Sequence, residues 1–180
     1  MRRLAFLLLA ILSLRPSTAV AEDDLALAVK ATYLVKFQPF VTWPPSAFAA
    51  ADAPFVLCVA GQDPFGALLD RAVAGQSFDG RALAVRRLDA PAGGTGCQIL
   101  YIAPGDAAAA RRAIEAVRGR PVLTVTDSGE AHDPQGMLNF VMTDGRVRFT
   151  IDADAARQSG LEISSKLLRL AVFVHREGAP

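Results

Sequence analysis

The chain has 180 residues, of which 19 are Lys or Arg and 18 are Asp or Glu, and 52% are hydrophobic. This near-neutral balance argues against nucleic acid as a partner, because binding it needs a basic face that neutralises phosphates. The length suits one domain with its own hydrophobic core.

The N-terminal segment has the pattern of a secretory signal peptide. Arg2 and Arg3 precede an apolar run over residues 4–14, and small residues lead to Ala21. Cleavage after Ala21 is therefore expected. The alternative is an uncleaved anchor, but the apolar run is shorter than the roughly 20 residues that a spanning helix needs. The pattern predicts export, with a signal peptide over 1–21 and no membrane insertion after cleavage.

The expected mature chain, 22–180, reads as a single α/β domain. Losing Arg2, Arg3 and Arg15 leaves 16 of the 19 basic residues against 18 acidic ones. No internal repeat, linker or low-complexity tract divides it. We expect one domain with slightly acidic charge.

The first element is an apolar helix that continues into an aromatic segment. Leu25 and Val29 recur with Tyr33 and Phe37 at helical spacing, and prolines from Pro39 onward end the helix. Two interpretations of the aromatic residues stay open. They are either core side chains that cover a sheet or a dimer or partner surface, where large aromatics are favoured. The residues are Tyr33, Phe37, Phe40 and Trp43.

The rest of the chain predicts strands and helices in alternation. Residues 55–60 are apolar on both faces, which is typical of a central parallel strand, and strands are expected near 83–88, 97–104 and 122–127. Asp106 is the expected N-cap of a helix that ends at Gly119.

The C-terminal part predicts a β-hairpin and two helices. The hairpin turns at Asp144-Gly145, Asp152 caps a short helix, and a last helix is expected over 164–174. The whole pattern predicts an α/β fold with a mixed sheet, parallel central strands, a C-terminal β-hairpin and helices packed on both faces.

The loop after the first strand has the outline of a phosphate-binding loop. Gly61 and Gly66 have the spacing of the glycines in G-x-x-x-x-G-K-[ST]. However, Ala67 and Leu68 replace the lysine and the hydroxyl, and Asp63 places a carboxylate where an anion would bind. We interpret the stretch as a turn in which Asp63 and Pro64 start a helix. A weak ligand pocket involving Gly61, Asp63 and Gly66 is the alternative.

Other patterns give little support for catalysis or metal binding. The loop around Asp127 also carries Glu130, His132 and Asp133, but their spacing matches no metal-binding template, so a solvated loop is expected. No G-x-S-x-G motif is present, and Ser164 is expected to cap a helix. His175 is interpreted as a partner of the last helix's dipole. We therefore expect neither an enzyme nor a cofactor or metal.

The two cysteines, Cys58 and Cys97, are an even pair in a chain with an export signal. Such pairs usually form disulfides. The bridge would close a loop of roughly 40 residues and contribute about 4 kcal/mol on the chain-entropy estimate. Two buried free thiols are the alternative.

Several motifs in order resemble the YfiR family of exported bacterial proteins. They are KATYLVKFQPFVTWP, LCVAGQDPFG, CQILYI, VLTVTD, GMLNFVMTDGRVRFTID and SGLEISSKLLRLA. Together they cover about Leu25 to Val174.

The resemblance implies a periplasmic repressor. Such proteins bind the periplasmic sensing domain of an inner-membrane diguanylate cyclase of the YfiN type and hold it inactive. Cyclic-di-GMP then stays low and biofilm formation is restrained. The resemblance also implies homodimers and tuning by cysteine oxidation. Cys58 and Cys97 match the family's first cysteine pair, whereas Asn139 stands where some members carry a cysteine of a second pair.

A second hypothesis is a periplasmic small-molecule-binding sensor that acts with a membrane sensor kinase, because related domains occur fused to such kinases. Its ligand would bind near Gly61 and Asp63, at the strand ends. A periplasmic enzyme is the third and least supported hypothesis.

Overall fold

The computed structural model describes residues 18–89, 94–127 and 135–176. The helices are α1 Thr18–Lys36, α2 Ala67–Val73, α3 Ala107–Ala116, α4 Ala153–Gln158 and α5 Ser165–Leu168. The strands are β1 Val41–Thr42, β2 Phe55–Ala60, β3 Ser77–Phe78, β4 Arg81–Leu88, β5 Ile99–Ile102, β6 Leu123–Thr126, β7 Leu138–Thr143, β8 Arg146–Asp152, β9 Glu162–Ile163 and β10 Phe173–His175. The expected cleavage point after Ala21 lies within α1.

An eight-stranded sheet in the order β10-β8-β7-β6-β5-β2-β4-β3 organises the fold. Strands β4, β2, β5, β6 and β7 are parallel, whereas β3, β8 and β10 run the opposite way. A two-stranded sheet pairs β1 with β9. The predicted mixed sheet with parallel central strands is confirmed.

The larger core lies on the face covered by α1 and α2. Alternate residues of the central strands point to it, among them Leu57 of β2, Ile99 of β5 and Leu123 of β6, all buried. Phe37, the residue immediately after α1, packs its ring on Phe149 of β8, with ring centroids 5.4 Å apart. Because β2 and β5 have helices on both sides, their sequences are apolar throughout.

The smaller core lies on the opposite face, beneath α3. Cys58, Leu100 and Ile102 contribute from the sheet, and Ala113 and Val117 contribute from the helix side. Asp106 caps α3 as predicted, since its carboxylate accepts from the N–H of Ala108. Helices on both faces are thereby confirmed.

The predicted hairpin is also confirmed. Thr143 pairs with Arg146 across Asp144 and Gly145, both of which have positive φ, as a two-residue type I′ turn requires. The predicted cap of α4 is present as well, because the Asp152 carboxylate accepts from the N–H groups of the next turn.

Three predicted helix boundaries are wrong. Helix α3 ends at Ala116, not at Gly119. Helix α2 begins at Ala67, not at Asp63 and Pro64, because the Asp63 carboxylate accepts from the N–H of Phe65 and makes a turn instead of a helix. The expected last helix is only α5, capped by Ser164 as predicted.

The residues after α5 form the edge strand β10, parallel to β8. His175 therefore lies on a strand, and its interpretation as a helix-dipole partner is wrong. The apolar run before it could be read as helix or strand, and pairing with β8 decides the outcome.

Candidate functional site

The two cysteines are joined by a disulfide in the structure, with their Cα atoms 5.8 Å apart. Cys58 lies in the middle of β2, and Cys97 lies two residues before the neighbouring strand β5. Both side chains are buried beneath α3. Gly94, which opens the turn before Cys97, packs so tightly that an added Cβ would lie 2.8 Å from Val117. The bridge thus lies in the smaller core and is not a surface feature.

The guanidinium of Arg86 lies against this disulfide. Its NH2 nitrogen donates to Cys97 Sγ at 3.1 Å and to Cys58 Sγ at 3.4 Å, and also to the Thr95 carbonyl at 2.8 Å. Arg86 and Cys58 are paired residues on the parallel strands β4 and β2, so their side chains share one face. A cation at this position favours a thiolate once the bridge is reduced, because it stabilises the negative sulfur.

The next residue, Arg87, points to the other face of the sheet and closes the glycine loop. Its Nε donates to Asp63 at 2.8 Å, its two terminal nitrogens donate to Asp70 at 2.9 Å, and one of them also donates to the Gly66 carbonyl at 3.0 Å. The hydrogen bond from Arg87 is the largest cause that lowers the pKa of Asp70. Protein groups thus satisfy one another where a phosphate-binding loop would present free donors.

An open cavity of about 530 Å³ lies at the carboxyl ends of β2, β4 and β5. Gly61, Ala103 and Ala109 are among its apolar lining, and Asp89 and Asp106 bring carboxylates to it. The strand order reverses between β2 and β5, because β4 adds on one side of β2 and β5 on the other. In open α/β sheets, ligands bind at this kind of switch point.

The three residues of the predicted ligand loop separate in the structure. Gly61 lines the cavity and adopts φ +89°, and an added Cβ would lie 3.3 Å from Ala103. Asp63 and Gly66 instead turn toward Arg87. Of this set, Gly61 is the residue that lines the cavity.

A partly buried ion pair lies at the same edge of the sheet. Lys30 of α1 donates to Asp127, which follows β6, at 2.6 Å, and the two side chains are 12% and 15% exposed. The Tyr101 hydroxyl donates to the same oxygen at 3.2 Å. Burial, then the charge of Asp127, raises the pKa of Tyr101, so its phenol stays neutral. The cluster ties α1 to the sheet.

Asp127 thus has protein partners, whereas Glu130, His132 and Asp133 of the predicted loop lie outside the described residues. Within the part of the chain that the structure describes, no group of three or more acidic, histidine or cysteine side chains could hold a metal ion.

The aromatic segment contributes to the core in this structure. Phe37 and Trp43 are buried, and the Trp43 indole N–H donates to the Gln98 carbonyl at 3.2 Å. Tyr33 packs on Phe149 while its outer side borders a shallow groove on α1. Phe40 is half-buried. Tyr33 and Phe40 are thus the two residues of the predicted aromatic surface whose side chains keep exposed area.

The sequence reasoning missed the roles of Arg86 and Arg87 and the exposed apolar side chains of the C-terminal region. Phe173 is 61% exposed, and Leu170, Val172 and Met142 are also exposed. One signal was available for the arginines. Two adjacent arginines on a strand must project to opposite faces, so at least one of them had to meet a covered face.

Helices thus cover both faces of the mixed sheet, a buried disulfide joins β2 to the segment before β5, and an open cavity lies at the carboxyl ends of the strands. A family model described as YfiR/HmsC-like matches residues 27–172. The chain therefore belongs to the YfiR/HmsC-like family.

Membership indicates a periplasmic regulator of diguanylate cyclase signalling, and thus a regulatory protein. The disulfide is compatible with the periplasm. Among the described helices, none combines the length and hydropathy needed to cross a membrane.

Proposed function

We propose that this protein binds the periplasmic domain of an inner-membrane diguanylate cyclase and represses it, so that cyclic-di-GMP falls and biofilm formation is restrained. The observation that carries the proposal is the family match over residues 27–172. The buried Cys58–Cys97 bridge, covered by Arg86, supports the further step that oxidation tunes the repression.

The redox step is a two-electron exchange. Two thiols lose two protons and two electrons to an oxidised dithiol carrier, and the Cys58–Cys97 bond forms. The bridge stabilises the folded domain, so reduction lowers the folded and binding-competent fraction. The apparent affinity for the cyclase falls by the same factor.

The test starts with the purified protein, which is used to pull down partners from membranes with and without a dithiol reductant. The periplasmic domain of the cyclase recovered in this way is then purified, and its binding to the protein is measured. We expect the oxidised protein to bind this domain and to lower cyclic-di-GMP in cells that express the cyclase. The double variant Cys58→Ala/Cys97→Ala should bind more weakly. Arg111→Ala, on the exposed side of α3, is the control.

Repression would be contradicted if the oxidised protein recovered no cyclase from membranes and if deleting the protein left cyclic-di-GMP unchanged. Equal binding by the double-cysteine variant and the unaltered protein would contradict redox tuning while leaving repression in place.

A second candidate function is a small-molecule sensor that acts with a membrane sensor kinase. The cavity at the switch point favours it, because its walls are apolar and its rim carries carboxylates. A thermal-shift screen against nucleotides and amino acids tests it, since a bound ligand raises the melting temperature by mass action.

Ala109→Leu, which fills the cavity, should abolish any shift found. Ala108→Leu, on the exposed side of the same helix, should not. Shifts of equal size in both variants would place the ligand elsewhere.

A further inference from the structure

Strand β10 forms one edge of the eight-stranded sheet, and backbone N–H and C=O groups on its outer side pair with no described strand. The N–H of Val172 donates inward to the Phe149 carbonyl of β8. Backbone groups of successive residues in a strand point to opposite sides, so those of Phe173 and His175 point outward. Among the described strands, none pairs with this outer side.

Within the described residues, the sheet face beside this edge is open over β8 and β10, whereas Asn139 of β7 on the same face is buried. In β8, Val147, Phe149 and Ile151 point into the larger core, so Arg146, Arg148 and Thr150 project from the opposite face. Phe173 is in register with Thr150 and shares that face. Helix α3 covers the face over β2 and β5, but Phe173 is 61% exposed.

The open face is basic. Arg146 and Arg148 are exposed, and neither takes part in a salt bridge within the residues that the structure describes. The carboxylate of Asp152, on the same strand, is engaged by the backbone N–H groups of α4. An exposed phenyl group thus lies beside two arginines that lack a carboxylate partner here.

We propose that the outer edge of β10 binds an acidic extended segment of a partner protein, which adds to the sheet as a further strand. Its backbone would pair with the outward groups of Phe173 and His175. Its alternate side chains would lie over the open face, with carboxylates at Arg146 and Arg148 and an apolar side chain on Phe173. The inference rests on the proposed function only for the identity of that partner.

Charge favours this occupant over a second copy of the chain. Antiparallel pairing of two β10 strands would extend the same face across both copies, so that four arginines would share one surface without added carboxylates. Such a pair would leave the arginines of both copies without new opposite charges, whereas an acidic segment supplies them. Edge strands that avoid partners are very short or carry charged residues or proline; β10 is short, at three residues, but it carries an exposed Phe173.

The test measures binding of two short labelled peptides by fluorescence anisotropy, one alternating Glu with Val and the other alternating Lys with Val. The purified protein should bind the Glu peptide and should bind the Lys peptide at least about tenfold more weakly, with the difference shrinking at high salt. Because no cyclase is present, the result does not depend on the proposed function.

Three variants locate the binding. Phe173→Glu should weaken binding of the Glu peptide by about tenfold or more, and Arg146→Glu/Arg148→Glu should reverse the preference between the peptides. His175→Pro removes an outward N–H donor and should also weaken binding. Met142→Glu alters a similarly exposed apolar residue of the hairpin that points to the opposite face, and should have little effect.

Circular dichroism melts of each variant show whether the fold is retained. The proposal is overturned if Phe173→Glu and the unaltered protein bind the Glu peptide equally. It is also overturned if sedimentation shows that these substitutions act by dissociating a homodimer, or if the protein binds anionic phosphatidylglycerol vesicles but neither peptide.

Discussion

At the scale of single residues, Arg86 and Arg87 show how one step along a strand separates two functions. Side chains of successive strand residues point to opposite faces. Arg86 therefore meets the two sulfurs beneath α3, while Arg87 meets the carboxylates of Asp63 and Asp70 on the α2 side. Each arginine is the natural control for the other.

Replacing Arg86 with Gln should make the disulfide harder to reduce. The guanidinium stabilises a thiolate more than it stabilises a neutral disulfide sulfur, so its loss disfavours the reduced state. Because Arg86 is exposed, we expect a change of about three- to tenfold in the equilibrium with a dithiol, up to about 30 mV. Alkylation of free thiols at a series of ratios of reduced to oxidised dithiol measures the midpoint of disulfide reduction. Arg87→Gln should leave the midpoint unchanged, and a midpoint equal in both variants would exclude a role for Arg86.

Replacing Arg87 with Gln should change the acid dependence of stability. The Arg87 hydrogen bond lowers the pKa of Asp70 in the folded protein. The contribution of Asp70 is therefore present above its unfolded pKa, near pH 4, and is lost as the pH falls through the lower folded value.

The difference in unfolding free energy between the unaltered protein and Arg87→Gln should thus be constant from about pH 7 to pH 5 and shrink below about pH 4. Urea unfolding at several pH values measures it, with Arg86→Gln as the comparison. A difference that stays the same at about pH 3 would show that Asp70 ionisation is not its source.

At the scale of elements, α1 is held by aromatic packing and by one polar tether. Tyr33 and Phe37 pack on Phe149 of β8, and Lys30 reaches Asp127 at the end of β6. The packing fixes which face of the helix meets the sheet. The ion pair places the helix at the carboxyl edge of the parallel strands.

Lys30→Met should lower the free energy of unfolding by about 2 kcal/mol, because it leaves a partly buried carboxylate without its cation. Asp127→Asn should restore part of the loss when the two changes are combined, since the orphaned charge is then gone. Chemical denaturation of the two single variants and the double variant completes the cycle. Strict additivity of the two changes would contradict direct coupling.

The sequence predicted elements whose determinants are local. The Asp144-Gly145 turn, the caps at Asp106 and Asp152 and the apolar strand over 55–60 each depend on a few neighbouring residues. The helix expected over 164–174 was not predicted correctly, because the structure after α5 does not depend on neighbouring residues alone. Three residues of β10 become a strand because β8 offers an edge, and the partner of Phe173 lies 23 positions earlier in the chain, at Thr150.

The same limit applied to the site. The pairing of Cys58 with Cys97 was predicted from the cysteine count and the export signal, but the contact of Arg86 with Cys58 joins residues 28 positions apart. Such a contact depends on strand register, which local patterns do not determine. The core position of Phe37 and Trp43 likewise depended on how much of α1 the sheet covers.

At the scale of the whole molecule, the disulfide encloses α2, β3 and β4, because its two cysteines are separated by 39 positions and bracket these elements. On the chain-entropy estimate this contributes about 4 kcal/mol. Cys58→Ala/Cys97→Ala should therefore lower the melting temperature by roughly 8–16 °C. Calorimetry of the oxidised protein, the reduced protein and the variant measures this. If the variant and the oxidised protein had the same melting temperature, a stabilising role of the bridge would be contradicted.

The position of the bridge also determines how far a redox signal has to travel. From β2 to β10 the sheet takes five strand-to-strand steps, about 24 Å at the usual spacing. A change at the sulfurs cannot touch the far edge directly, so any influence on it passes through the common stability of the sheet. Oxidation would then act by raising the rigidity of the whole sheet. A destabilising substitution anywhere between the disulfide and β10 should therefore have the same effect as reduction.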